Sequence, residues 1–383
     1  MKPLEILIVF GTRPEAIKLA PVLKQLRRYP NEIKVRACAT GQHREMLDQV
    51  MDLFEIAPDF DLGLMRPNQT PNQVASLILA ELDRLFSEKP FDWMLVQGDT
   101  TTVMAASIAA HHHRIKVGHV EAGLRTYDRS NPFPEEMNRV VTDHVSDLHF
   151  APTSTARDNL LREGIKPERV FVTGNTVIDA LEWVAEKPVP ASLTRLFARL
   201  NSTKPLLLVT AHRRESQGKP LRNICNALRA LARRDNLQIV FPVHRNPNVW
   251  EPVHRELKDV KGITLLPPVD YLSLVHLMKR SRLILTDSGG IQEEAPSLGV
   301  PVLVLRESTE RPEAVAAGAA RLVGTDPLRI VNEAERVLND PVTRSKMSRA
   351  INPYGDGKAA ERIVKILLHG RCEEFVCEDL VAV

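Results

Sequence analysis

Three acids stand where apolar runs end. Asp99 follows the run Trp93–Gln97, Glu121 closes the run Lys116–Val120, and Glu135 opens a helical pattern behind Pro132-Phe133-Pro134. Acids at helix starts commonly cap the helix or face its dipole, so Asp99, and one of Glu135 and Glu136, has a purely structural reading. Glu121 resists that reading, because an unpaired carboxylate at the end of a buried strand is costly. Three carboxylates around one crevice suit proton transfer, since neighbouring acids can have their pKa values pushed apart and divide acid from base work.

Cations and glycines stand at other strand ends. Gly11-Thr12-Arg13-Pro14-Glu15-Ala16-Ile17-Lys18 combines a tight turn, a proline suited to a helix's first turn, and two cations near that helix start. A helix N-terminus flanked by cations is an anion seat; the plain alternative is a solvated turn. Further on, His212-Arg213-Arg214-Glu215 follows one strand candidate and Asp287-Ser288-Gly289-Gly290-Ile291-Gln292-Glu293-Glu294 follows another. The Ser-Gly-Gly run lets backbone N–H groups approach a phosphate. Glu294 lies about one turn into that helix and can accept from two ribose hydroxyls, and Arg311 adds a cation just before a further helix.

The elements that must position these groups alternate. Strand candidates are 4–10, 33–40, 93–97, 116–120, 148–151, 206–211, 238–242, 263–266, 283–286 and 302–305. Between them, segments such as 15–28, 72–87, 101–113 and 221–234 repeat apolar residues at three and four. Strands apolar on both faces and joined through helices specify parallel sheets covered on both sides, so the fold class is α/β. The pattern restarts after Lys187-Pro188-Val189-Pro190, and 383 residues suit two domains. The expected division is 1–168, carrying the carboxylates, and 169–355, carrying the phosphate seats, with 356–383 as a last helix and tail. Two doubly wound domains facing each other leave a cleft beyond the carboxyl ends of their strands, where ligands bind.

Composition excludes several partners. The formal charge is +3 with no block of like charge, and aromatics are 5%, which argues against nucleic acid. No apolar run reaches membrane-span length, and the N-terminus lacks a signal-peptide pattern. Cys38, Cys225, Cys372 and Cys377 are scattered and read as reduced thiols of a cytoplasmic protein. His111-His112-His113 is no metal tract, because successive helical residues point about 100° apart and cannot converge on one ion.

The residues closely resemble bacterial non-hydrolysing UDP-N-acetylglucosamine 2-epimerases. The resemblance rests on Phe10-Gly11-Thr12-Arg13-Pro14-Glu15-Ala16-Ile17-Lys18, Thr40-Gly41-Gln42-His43, Gly98-Asp99-Thr100-Thr101-Thr102, His119-Val120-Glu121-Ala122-Gly123-Leu124-Arg125, Pro134-Glu135-Glu136-Met137-Asn138-Arg139, Gly174-Asn175-Thr176-Val177-Ile178-Asp179, His212-Arg213-Arg214-Glu215, the run from Asp287 to Glu294, and Asn352-Pro353-Tyr354-Gly355-Asp356-Gly357. These motifs occur in order from Leu4 to about Leu368. The resemblance implies two Rossmann-like domains in the GT-B arrangement, a homodimer, and a last helix crossing back to the first domain. It implies interconversion of UDP-N-acetylglucosamine and UDP-N-acetylmannosamine by elimination of UDP to a 2-acetamidoglucal and re-addition, with no metal and no other cofactor.

By motif match, Asp99, Glu121, Glu135 and His212 are catalytic, with His212 facing the leaving phosphate. Arg13, Ser288, Gly289, Gly290, Glu294 and Arg311 hold UDP, with Lys18 supporting the cluster. Some relatives are activated by their own substrate at a second site, whose matching residues here are Gln42, His43, Arg66, Arg213 and His244. The chain departs from the pattern at Glu45, where some members carry Gln, and at Leu274, where many carry Phe near the uracil. Rival readings are a retaining GT-B glycosyltransferase, a hydrolysing epimerase, an epimerase of a related diacetamido uronic acid, and a UDP-sugar sensor without turnover.

Overall fold

The computed structural model describes residues 2–41, 44–64, 66, 68–234 and 236–377, with the backbone alone for 44–46. It divides into two compact units, one of Met1–Ala180 with Tyr354–Val376, the other Leu181–Pro353 with Cys377–Val383.

The strands of the first unit are β1 (Leu4–Phe10), β2 (Ile33–Ala39), β3 (Phe60–Asp61), β4 (Trp93–Gln97), β5 (Lys116–Val120), β6 (Leu148–Ala151) and β7 (Val170–Val172). They form one parallel sheet in the order β3-β2-β1-β4-β5-β6-β7. Strand β1 is buried along Ile6–Phe10 because helices cover both faces of the sheet. On one face Leu7, Val9, Met94, Val96 and Val117 meet Ile78, Leu82, Phe86, Val103 and Ala106 from the helices Pro71–Glu88 and Thr101–His112. Those helices start where Thr70 and Thr100 accept backbone N–H bonds at the N-cap.

The second unit repeats the plan with β8 (Leu206–Thr210), β9 (Gln238–Pro242), β10 (Ile263–Leu266), β11 (Leu283–Thr286), β12 (Val302–Val304) and β13 (Ala320–Leu322). Its parallel sheet runs β10-β9-β8-β11-β12-β13. Leu207, Val209, Phe241 and Leu285 face Leu221, Leu228, Val253 and Val337 of the covering helices. The α/β class with two Rossmann-like sheets therefore agrees with the sequence. In both sheets the order reverses between the first and the fourth strand in sequence, at β1/β4 and at β8/β11. Ligands of such folds bind at those switch points, outside the carboxyl ends of the strands.

Val170–Val172, expected from the sequence to open the second domain, is instead the last strand of the first sheet, paired with β6. Beyond it Asn175 N–H donates to the Tyr354 carbonyl at 2.6 Å, and Asp179 caps the helix Ala359–His369 through the Ala359 and Ala360 N–H groups. That helix packs against Arg13–Leu26. The chain then covers the outer edge of β7, where Phe375 N–H donates to the Val172 carbonyl at 2.8 Å. Covering an edge strand in this way removes a template for unwanted pairing. Among the described residues no helix is long and apolar enough to cross a membrane.

Candidate active site

The residues singled out for chemistry in the first unit follow β1, β4 and β5. Gly11 ends β1 in a space that admits no side chain, since a Cβ there would lie 2.5 Å from Thr40 Oγ1 and 2.8 Å from Thr102 Oγ1. Thr12 caps the helix Arg13–Leu26, and buried Glu15 accepts from Gly11 N–H at 2.6 Å and from the Thr12 hydroxyl at 2.9 Å. Burial raises the Glu15 carboxyl above its ordinary value, although these donors oppose the rise. Glu15 thus builds the turn. Arg13, half-buried on the same first turn, has no hydrogen-bond or ion-pair partner among the described residues.

Glu121 is the most heavily held acid of the sequence-predicted set. Lys18 Nζ donates to Oε1 at 2.6 Å, Asn175 Nδ2 to Oε1 at 3.2 Å, and Gln97 Nε2 to Oε2. Its φ of 67° is the left-handed conformation that side-chain-bearing residues seldom adopt, a strain of about 1–3 kcal/mol typical of functional positions. Strand register sets Gln97 beside Val120, so Gly98-Asp99 and Glu121 leave neighbouring strands at one level. The Glu121 carboxylate also faces Gly98, 4.0 Å from where a Cβ would stand.

Asp99 is reached from the helix Glu135–Val145. Arg139 Nη2 donates to Asp99 Oδ2 at 2.6 Å, and Asn138 Nδ2 to the Asp99 carbonyl at 2.9 Å. The Asp99 side chain stays 32% exposed. Of the two acids opening that helix, Glu136 is the structural one: it is buried and accepts from the Thr126 and Tyr127 N–H groups at 3.1 and 2.8 Å. Glu135 is half-buried, and its carboxylate has no hydrogen-bond partner among the described residues.

The second unit supplies His212 after β8 and Ser288 after β11. Asp287, fully buried between them, accepts from His212 N–H at 2.9 Å, Arg213 N–H at 2.8 Å and the Ser216 hydroxyl at 2.8 Å. Its other oxygen lies 3.2 Å from His212 Nδ1, an ion-pair distance without hydrogen-bond alignment. Burial alone would raise the Asp287 carboxyl; the His212 ring, the Arg213 amide and the Ser216 hydroxyl outweigh it and hold it below the usual range. The His212 ring therefore has one nitrogen turned to Asp287, and it stacks on His244 with centroids 5.7 Å apart. Ser288 is the N-cap of the helix Gly289–Glu294, and a Cβ at Gly289 would stand 3.5 Å from Arg213 Nη2. A bare helix start beside a guanidinium suits a phosphate.

Glu294 is buried and accepts from the Tyr271 hydroxyl at 2.9 Å. Arg311 Nε donates to buried Glu293, so part of its charge is matched within the unit. Lys18, grouped with the UDP set by resemblance, has its ammonium on Glu121. Of the activator set, Arg66 belongs to the first unit and Arg213 and His244 to the second, while Gln42 and His43 lie outside the described residues. Gln97, Asn175, Tyr271 and Asp287 received no role from sequence reasoning. Gln97 carried a signal, a polar residue closing an apolar strand.

Comparison with known proteins settles the family. The family model for UDP-N-acetylglucosamine 2-epimerase matches residues 24–368. The chain is 54% identical over 370 residues to the UDP-N-acetylglucosamine 2-epimerase of Salmonella typhimurium, covering 95% of this chain and 98% of that one. The chain belongs to the UDP-N-acetylglucosamine 2-epimerase family. Among solved members, the Neisseria meningitidis epimerase bound to UDP-GlcNAc superposes with a TM-score of 0.88 at 47% identity, covering 95% of this chain and all of that one. The S. aureus MnaA structure with UDP gives 0.87 at 42% identity, covering 97% and 100%. Membership makes the protein an isomerase and agrees with the reading of its motifs.

Proposed function

We propose that the protein interconverts UDP-N-acetylglucosamine and UDP-N-acetylmannosamine by eliminating UDP and adding it back. A carboxylate takes the proton from C2 as the C1–O bond breaks, the electrons close a C1=C2 double bond, and UDP leaves with the anomeric oxygen. Re-addition returns UDP to C1 and a proton to the other face of C2. The observation that carries this reading is the pair Asp99 and Glu121 at the ends of adjacent strands, each fixed by its own donors. The C2 proton is weakly acidic, so base and acid must be positioned rather than recruited. The leaving diphosphate needs fixed positive charge, which His212, Arg213 and the Ser288–Gly290 helix start supply in the second unit. Arg13, Glu294 and Arg311 complete the proposed UDP set, and Glu135 the acids. The family relative with UDP-GlcNAc bound supports this substrate.

Proton NMR of UDP-N-acetylglucosamine with the pure protein in D₂O tests the reading. The expected result is new UDP-N-acetylmannosamine, with deuterium replacing hydrogen at C2 in both sugars. Free N-acetylmannosamine with UDP would show a hydrolysing enzyme, and UDP binding without exchange a transferase or a sensor. The reading also carries a homodimer in the cytoplasm. Light scattering of the pure protein is expected to give about twice the 42.9 kDa chain mass, and the chain mass alone would remove the dimer.

A further inference from the structure

Behind the acids lies a buried ionic cluster that the reaction itself does not use. Asp143, on the helix Glu135–Val145, is fully buried. Its Oδ1 meets His119 Nδ1 at 2.6 Å, and its Oδ2 accepts from Arg125 Nη2 at 2.7 Å and Gly123 N–H at 3.3 Å. The far nitrogen of the buried His119 ring meets the Gly98 carbonyl at 2.8 Å. The Asp143 carbonyl is itself held by His149 Nε2 at 2.7 Å.

These contacts touch each acid-bearing segment. Through His119, Asp143 fixes the carbonyl of Gly98, the residue before Asp99. Through Gly123 and Arg125 it fixes the turn that follows Glu121. Its own helix begins at Glu135 and carries the Arg139 and Asn138 that hold Asp99. Burial alone would raise the Asp143 carboxyl, but the His119 ring and the Arg125 guanidinium hold it well below the usual carboxylate range. A charge satisfied on all sides inside a protein is rigid, and rigidity in supporting residues is what fixes reacting groups to within a fraction of an ångström.

We propose that Asp143, acting through His119 and Arg125, is the positioning residue that holds the Asp99, Glu121 and Glu135 segments in one catalytic geometry. This rests on the reading of those three as the proton-transfer acids. The hydrogen bonds of Asp143 and His119 run to the segments that carry the acids, so loosening them affects proton transfer before it affects UDP binding.

The test compares Asp143→Asn and His119→Asn with Glu163→Gln, assaying turnover, KM, UDP affinity and deuterium exchange at C2. Glu163 accepts from Arg125 Nε at 2.7 Å and from Nη2, which also reaches Asp143, at 2.6 Å; a glutamine there keeps an acceptor for Arg125 and leaves Asp143 and its His119 contact unchanged. Misplacement by about 1 Å costs roughly 10²-fold. Asp143→Asn and His119→Asn are therefore expected to lower kcat and exchange about 30–100-fold, with KM and UDP affinity within about threefold. Glu163→Gln is expected to keep kcat within about twofold. Should Asp143→Asn fail to fold, His119→Asn decides alone. Normal kcat in the folded variants, or equal losses in kcat in all three, overturns the proposal. Asp99→Asn and Glu121→Gln run beside them: if both keep normal turnover, the reading of the acids falls first. If both are inactive while His119→Asn turns over normally, only the positioning role falls.

Discussion

Glu121→Gln is expected to lower kcat by about 10³-fold, within the range for loss of a positioned acid or base, while UDP affinity changes less than about threefold. The substitution is nearly isosteric, so the turn with φ of 67° is kept. What changes is the chemistry. The carboxylate accepts from Lys18, Asn175 and Gln97, whereas an amide has only one acceptor oxygen and turns N–H groups toward at least one of those donors. Lys18, only 13% exposed, then faces a neutral partner. Asp99→Asn makes the parallel case, because Arg139 loses the nearer of its two counter-charges, keeping Glu136 at 3.3 Å, and the site loses its more exposed acid. Steady-state kinetics with calorimetric UDP titration separates the two quantities. A kcat within tenfold of the parent in both variants would remove these acids from the mechanism. Equal losses of kcat and UDP affinity would mean that the substitutions damage the fold rather than the chemistry.

Much of this arrangement was legible along the chain for a physical reason. In a doubly wound parallel sheet, residues just past the carboxyl ends of neighbouring strands converge, so locating the strands locates the site. The runs Leu4–Phe10, Trp93–Gln97, Lys116–Val120 and Leu283–Thr286 are apolar on both faces and sharply bounded, and Gly11, Asp99, Glu121 and Ser288 follow from them. The edge strands Phe60–Asp61 and Ala320–Leu322 are too short to show a period. Val170–Val172 was visible as a strand, but sequence offers no means to decide which sheet a three-residue strand joins.

The partners of the acids were hidden for a different reason. The donors on Glu121 stand 24, 54 and 103 positions away, in three different parts of the chain. Pattern along a chain reports local faces, not which distant side chains meet. The motif containing Asn175 and Asp179 shows the gap well. It is easily matched, yet its physical content, one amide on Glu121 and one carboxylate capping the helix Ala359–His369, appears only in three dimensions. Asp287 likewise reads as the residue before a Ser-Gly-Gly turn, although it organises the segment bearing His212.

That organising role sets the second large effect. Asp287→Ala is expected to cost about 3–5 kcal/mol of stability, the range for removing one partner of a buried charged cluster. It leaves the His212 and Arg213 N–H groups and the Ser216 hydroxyl without their shared acceptor, and an unsatisfied buried donor costs about 1–3 kcal/mol. The same loss frees the His212 ring and the Arg213 segment beside Gly289, so UDP affinity is expected to fall about tenfold or more. The stability term has a definite pH dependence. The Asp287 carboxyl is depressed in the folded protein, so its contribution is complete above the unfolded value near 3.8 and is lost as pH falls through the lower folded value. Urea unfolding of parent and variant at pH 7 and again near pH 3 reads both parts. The gap is expected to be full at pH 7 and to narrow only below about pH 4. A gap that closes near neutral pH would assign the stabilisation to the histidine ring, and no gap at pH 7 would show that the His212 segment stands without Asp287.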